Sequence, residues 1–274
     1  MTELPVLDRE ALPAIFELCR RGAVDGPARD ELGDALFAPE QPAVIRGDPR
    51  IGVVATVAGE SGAYVRLLVV DPDARGLGHG HALVRAAEAD ARAGGHATLT
   101  FGADSPFFLW AGAPSAEIAL LCLLERHHYQ RVETNFDMTI DLSSIPPDPG
   151  GHALADAAQR DELDAWMTKH WSNWRDEVLR AADRGNLVVS RDESGLSAFC
   201  GFEVNRAGFL GPVAVRPDLL GRGAGRAALV GALHELRRRG RDTIEVNWVG
   251  PIVPYARLGG RVSNFYFVYR KSVP

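Results

Sequence analysis

The sequence predicts an α/β (α+β) protein of two tandem domains, each a mixed, mostly antiparallel sheet flanked by helices. Three observations carry that prediction. The chain has 274 residues, more than the roughly 100 to 200 usual for one domain. Residues 143–151 read Ser-Ser-Ile-Pro-Pro-Asp-Pro-Gly-Gly, a stretch that neither a helix nor a sheet interior tolerates. The pieces on either side repeat each other: at an offset of 145, residues 70–82 and 215–227 coincide at Val70/Val215, Pro72/Pro217, Asp73/Asp218, Gly76/Gly221, Gly78/Gly223, Gly80/Gly225 and Ala82/Ala227. Such self-similarity marks a duplication. The expected organisation is a domain at 1–142, a linker at 143–151 and a domain at 152–274.

Hydrophobic periodicity orders the elements of each copy. The first is expected to have helices at 8–21 and 28–37, strands at 43–46, 51–58 and 63–70, a long helix at 78–93, a strand at 98–102, a helix at 116–127 and a strand at 134–142. The second repeats this with helices at 160–170 and 174–182, strands at 187–191, 196–204 and 209–215, a long helix at 223–239, a strand at 243–248, a short helix at 252–258 and a strand at 265–270.

Composition narrows the function classes. Hydrophobic residues make up 46% and charged residues 24%, as in ordinary globular proteins. A net charge of -6 argues against broad phosphate neutralisation, so nucleic acid is not an expected partner. Cys19, Cys122 and Cys200 are odd in number and lack any C-x-x-C spacing, which supports neither a disulfide framework nor a cysteine zinc site and fits a reducing cytoplasm. Residues 1–10 carry three acids and no apolar targeting core, and no apolar run has the roughly 18 residues of a membrane span. A cytoplasmic protein that engages no membrane is expected.

Chemistry concentrates at the two glycine turns. Each joins a buried strand (Leu67-Leu68-Val69-Val70; Pro212-Val213-Ala214-Val215) to the start of a long helix. Unpaired backbone N–H groups converge there, the helix dipole adds positive charge, and glycine lets phosphate oxygens approach the main chain. Glycines at such a turn also serve geometry alone. A Walker A loop needs a Lys-Ser/Thr pair that neither turn has, and a dinucleotide fingerprint needs a third glycine where His81 and Arg226 stand. Arg75-x-x-Gly78-x-Gly80, following Val70-x-Pro72, resembles the [Q/R]-x-x-G-x-[G/A] acyl-CoA loop of GCN5-related N-acetyltransferases (GNAT). Because both halves share the context, the chain resembles a tandem GNAT protein, similar in layout to mycothiol synthase.

That resemblance implies acetyl-CoA as cofactor. Its pyrophosphate would lie on Arg75, Gly76, Leu77, Gly78, His79 and Gly80, on Gly221, Arg222, Gly223, Ala224, Gly225 and Arg226, or on both. Main-chain groups of Leu68, Val70, Val213 and Val215 on the splayed fourth strands would face the cofactor, those near Val213 and Val215 polarising the acyl carbonyl. Asn247 resembles the family's strand-end Asn that approaches the CoA arm.

The copies are unequal. Leu220 takes the Arg/Gln position of the second turn, leaving Arg222 and Arg226 as nearby cations. The family's Y-x-x-x-G segment, whose tyrosine protonates the departing thiolate, is matched by Tyr255 to Gly259, whereas the first copy has Leu124 at that place. Strand alternation puts Glu245 and Asn247 on one face, making Glu245 a candidate general base, with Glu203 on the neighbouring strand as the other; either is equally readable as an ordinary solvated or paired acid. Trp166, Trp171 and Trp174 read as core or as a wall of the acceptor site. His127 and His128 read as helix-end caps, and residues 105–110 form an apolar loop that covers a ligand or the domain seam. The resemblance implies acetyl transfer to a primary amine of a small molecule by the second domain, the first holding CoA without turnover. A non-catalytic CoA-binding or sensor protein is the rival reading, kept open by Leu220 and Leu124, and a nucleotide-dependent oxidoreductase is the third.

Overall fold

The computed structural model of the protein describes residues 4–22, 26–59 and 61–273. It divides into two compact units that are not contiguous halves of the chain. The first runs up to Asn135 and takes in the segment from Phe265 onward; the second comprises Phe136–Asn264.

The first unit opens with β1 (Val6–Leu7), α1 (Leu12–Gly22) and α2 (Arg29–Phe37). Ile15, Leu18, Cys19 and Gly22 are the buried residues of α1, the spacing of one helix face. The expected helix over 8–21 starts later than periodicity suggests, because the Asp8 carboxylate accepts from Glu10 N at 3.0 Å and caps a tighter 3-10 turn at Arg9–Ala11. An antiparallel meander follows: β2 (Val44–Asp48), β3 (Gly52–Gly59) and β4 (Gly62–Val70). Next come α3 (His79–Ala93), β5 (Thr98–Phe101), β6 (Ala113–Pro114), α4 (Ile118–Arg126) and β7 (Gln130–Asp141). The second half of the chain repeats this order with β8 (His152–Leu154), α5 (Arg160–His170), α6 (Arg175–Asp183), β9 (Leu187–Asp192), β10 (Gly195–Phe202), β11 (Phe209–Val215), α7 (Gly225–Arg238), β12 (Thr243–Val246), α8 (Ile252–Ala256) and β13 (Arg261–Ser272). Strands β1, β6 and β8 have two or three residues, too few to show a period. Among the described residues no helix is long and apolar enough to cross a membrane.

Each sheet is sandwiched between two helix pairs. In the first unit Leu67 and Val69 pack with α1 and α2, while Leu68 and Val70 pack with α3 and α4, as the two-residue period of a strand requires. In the second, Ala214 joins the α5 and α6 layer and Val213 and Val215 the α7 and α8 layer. Among the described residues the parallel pairing in each unit is short: Ala63–Val65 with Leu99–Phe101, and Phe209 and Leu210 with Glu245 and Val246. Beyond these residues the strands part, leaving a V-shaped opening in each sheet.

The last strand of each sheet comes from the other half of the chain. Tyr269–Ser272 of β13 pair with β5 in the first unit, and Met138–Asp141 of β7 pair with β12 in the second. Both strands are therefore longer than the expected 134–142 and 265–270. The expected linker at 143–151 lies within the second unit, where His234 Nε2 approaches Pro146 O at 2.9 Å and His152 Nε2 approaches Asp148 Oδ1 at 2.8 Å. β7 ends where the Asp141 carboxylate accepts from Ser143 N at 2.8 Å and caps a 3-10 turn at Leu142–Ser144, and the chain then stays on the surface of α7.

Candidate active site

The two glycine turns share one backbone. Gly76 and Gly78 have φ of 78° and 89°, and Gly221 and Gly223 have 76° and 80°, values that side-chain-bearing residues rarely adopt. Arg75 N and Leu220 N each reach the carbonyl of the preceding proline, Pro72 or Pro217, at 3.3 Å. Among the described residues, no atom outside the neighbouring ones lies within 4 Å of a Cβ built on any of these four glycines, which leaves the space above both loops open to a ligand. The third glycine serves packing instead: a Cβ on Gly80 would stand 3.0 Å from Leu123, and one on Gly225 2.6 Å from Val215.

The strands leading into the turns present main-chain donors to the opening. Asp71 N bonds Ile51 O and Arg216 N bonds Ser197 O, each at 2.8 Å. Alternation then turns the N–H groups of Val70 and Leu68, and of Val215 and Val213, away from β3 and β10 and into the V. Arg75 donates from Nε to Val70 O at 3.3 Å and from Nη2 to Gly22 O at 2.6 Å. Leu220 is 59% exposed, and in its unit Trp171 Nε1 donates to Val215 O at 3.1 Å.

A cavity of about 390 Å³ fills the opening of the first unit, within the range of small-ligand sites. Leu68, Val70, Arg75, Gly76, Gly78 and Gly80 line it, but Leu77 and His79 do not; Leu77 is among the most exposed apolar side chains. Ala119, Leu120, Cys122, Leu123 and Arg126 add a wall from α4. Their helical spacing was visible in the sequence, although nothing there aimed that face at the turn. Free N–H donors, open glycines and this volume suit an acyl-CoA.

At the end of α4 and α8 the duplication holds residue by residue. Tyr255 O accepts from Leu258 N and Gly260 N at 3.0 and 2.9 Å, and Leu124 O accepts from His127 N and Tyr129 N at 3.1 and 3.0 Å. Gly259 and His128, four residues on from each, take φ of 81° and 61°. Leu124 thus occupies the tyrosine position and is fully buried. Burial, with the Cys200 thiol nearby, holds the Tyr255 phenol well above its ordinary value, so it keeps its proton. His127 caps α4, as expected; its ring lies 2.8 Å from His81, a residue of the cavity wall.

The candidate carboxylates differ. Glu245 accepts from Thr139 Oγ1 and, at 2.6 Å, from Ser263 Oγ. It faces away from the Ile244 and Val246 core, opposite the face that carries Tyr255. Glu203 (φ 47°) binds Gly208 N at 2.9 Å and Arg241 Nε at 2.7 Å. It ties together the β10 to β11 turn, at the far end of β11 from the glycine loop. Asn247 directly follows β12, where the strands separate.

Arg66 and the 105–110 loop pack against the α1 and α2 face of the first unit, whose Gly22, Leu67, Val69 and Trp110 also border the cavity. Arg66, fully buried, binds Asp104 Oδ2 and Ala35 O, each at 2.5 Å, and lies over the Phe107 ring at 4.6 Å. Phe107 and Leu109 join the core beneath α1 and α2, which gives the 105–110 loop a packing role. Gly211, at the Arg66 position of the second copy, has no atom within 4 Å of a Cβ built on it, and only five residues separate β12 from α8. Trp166, Trp171 and Trp174 are partly buried against the α5 and α6 core; Trp166 Nε1 donates to Leu196 O at 3.0 Å, and Trp171 stacks on Trp174 at 5.5 Å.

With this geometry in place, the likenesses to known proteins agree. The model of the acetyltransferase (GNAT) family matches residues 25–106 and 151–252, and the chain belongs to that family. No curated protein matches it in sequence. In structure it is similar to the GCN5-related glucosamine N-acetyltransferase region of a fungal multi-domain GH3 β-N-acetylglucosaminidase, with a TM-score of 0.79 and 20% identity over 98% of this chain and 38% of that one. A GCN5-related N-acetyltransferase from Sphaerobacter thermophilus matches with a TM-score of 0.73 and 20% identity, over 98% and 94% of the two chains. A tandem GNAT protein from the clavulanic acid biosynthesis pathway matches with 0.72 and 15%, over 99% and 98%. At these identities the likenesses show the fold: two GNAT segments, each a mixed, mostly antiparallel sheet with helices.

Proposed function

We propose that the protein transfers acetyl from acetyl-CoA to a primary amine of a small molecule in its second unit, while the first unit holds the cofactor without turnover. The observation that carries this is the exchange of Tyr255 for Leu124 at one and the same turn, beside a position taken by the buried Arg66 side chain in one unit and by Gly211 in the other.

The cofactor, when bound, supplies an acyl thioester. The amine carries a proton at neutral pH, and Glu245 accepts it, its carboxylate oriented by Thr139 and Ser263. The N–H groups of Val213 and Val215 point into the opening and oppose negative charge gathering on the acyl oxygen. Tyr255, protonated and on the other face of the sheet, donates to the departing sulfur. Gly221 to Arg226 hold phosphate oxygens through main-chain amides and the charges of Arg222 and Arg226.

Matched substitutions test this division. The two loops have the same φ and the same open space, so Gly78→Val and Gly223→Val impose like strain. With an amine panel and acetyl-CoA, product should persist in the first variant and vanish in the second. A protein that binds CoA through its first cavity and acetylates nothing would support the rival reading, a CoA-binding module; the 390 Å³ cavity in the unit that has Leu124 in place of a tyrosine is the feature that favours it.

A further inference from the structure

We propose that Trp171 performs in the second unit the positioning task that Arg75 performs in the first. This rests on the reading that the second glycine loop holds CoA. The carbonyls of Val70 and Val215 end the two central strands on the side of the opening, beyond the residues paired with β5 and β12, where among the described residues no neighbouring strand supplies a donor, and an unpaired carbonyl there is costly. In the first unit Arg75 satisfies Val70 O from its Nε and reaches Gly22 O at the end of α1 through Nη2. One guanidinium thereby ties strand end, loop and helix together.

At Leu220 the backbone is the same, but the side chain projects into solvent and has no donor. The tie is made from the opposite partner. Trp171 follows directly on α5, as Gly22 closes α1, and its indole N–H reaches Val215 O at 3.1 Å. Its own N–H is anchored on Met167 O at 2.8 Å and its ring on Trp174. Gly22, the last residue of α1, has no room for a side chain, since a Cβ on it would lie 2.6 Å from Val69 and 3.1 Å from Val70 O. The two units hold the same carbonyl by different means: an arginine of the loop in the first, and a tryptophan at the end of α5 in the second. Trp171 fixes the end of β11, and through it the Val213 and Val215 amides and the glycine loop that follows.

The test uses the full chain carrying Gly78→Val, so that CoA titrated calorimetrically reports the second loop. Trp171→Phe keeps the ring and removes the donor; it should weaken CoA about fivefold and raise KM for acetyl-CoA, leaving KM for the amine in place. Adding Leu220→Arg should restore affinity, because the backbone already matches that of Arg75. Unchanged affinity in Trp171→Phe, or a double variant no better than the single one, overturns the proposal. Trp174→Phe separates packing from bonding: a loss equal to that of Trp171→Phe would mean that the stack, not the donor, matters. If Trp171→Phe does not fold, Arg75→Leu in a Gly223→Val chain must lower CoA binding at the first loop, and no loss there overturns the idea. Absence of any CoA binding in the Gly78→Val chain itself would instead remove the reading of the second loop, and this inference with it.

Discussion

At one and the same position of their turns, Tyr255 carries a phenol hydroxyl and Leu124 carries only an aliphatic side chain. Tyr255→Phe should lower kcat by about 100-fold or more while CoA affinity stays put, and a loss below about threefold would remove the general-acid role. A second residue draws attention for its charge. Glu177 of α6 is buried, accepts from Asn205 Nδ2 at 2.6 Å, and burial pushes its carboxyl up to about 8. An acid raised in the folded state keeps a proton that the unfolded chain has released, so stability falls as pH climbs from about 4.5 through about 8 and levels off above. Glu177→Gln keeps the acceptor and should flatten that fall in melting temperature; a slope unchanged in the variant would assign it to other groups. Neither the burial of Glu177 nor the engagement of Glu203 with Arg241 was legible in the sequence, since both depend on which turn folds over which helix. The pairing of Tyr255 with Leu124 was legible, because the motif around it is local.

Among elements, the glycine turns were the most legible, since their φ values demand glycine wherever the chain goes next. The loop from Gly102 to Gly112 was the least legible. Its apolar residues have no period, and what they cover is decided by Arg66, which sits 38 positions away from Asp104 in sequence. Asp104→Ala leaves the Arg66 charge buried without its carboxylate and should cost about 3 kcal/mol in denaturant unfolding. The double variant Arg66→Met with Asp104→Leu should recover most of this. A single variant as stable as the parent would mean that the loop is held by Phe107 and Leu109 alone. The α1 and α2 face thus carries an ion pair with an apolar lid, a construction that the second copy, with Gly211 and its short connection, does not use.

For the whole molecule, the internal repeat foretold two copies of one fold but not their exchange of final strands. Alternation tells a strand which side chains to bury. It does not tell it which of two equivalent sheet edges to join, and β5 and β12 are such a pair. A chain ending at residue 264 should therefore lose the first unit preferentially, because β5 would be left without Tyr269–Ser272 on its edge and Lys271 would no longer reach Glu88 at 2.8 Å. Cavity-dependent CoA binding should disappear while Tyr255 stays in a folded second unit; CoA binding at the first loop in that shortened chain would show β13 to be dispensable.

Arg270 Nε meets Thr100 Oγ1 across a separation of 170 residues. On the ribosome, the first sheet waits with an open edge while all of the second unit is made, and its closing strand is among the later segments to emerge. Long-range pairing of this kind is slow and leaves a sheet edge exposed during the wait. A nascent chain arrested before residue 265 should be a better chaperone client than one arrested after residue 273, which would make the timing of synthesis, as well as stability, a determinant of how much folded protein accumulates.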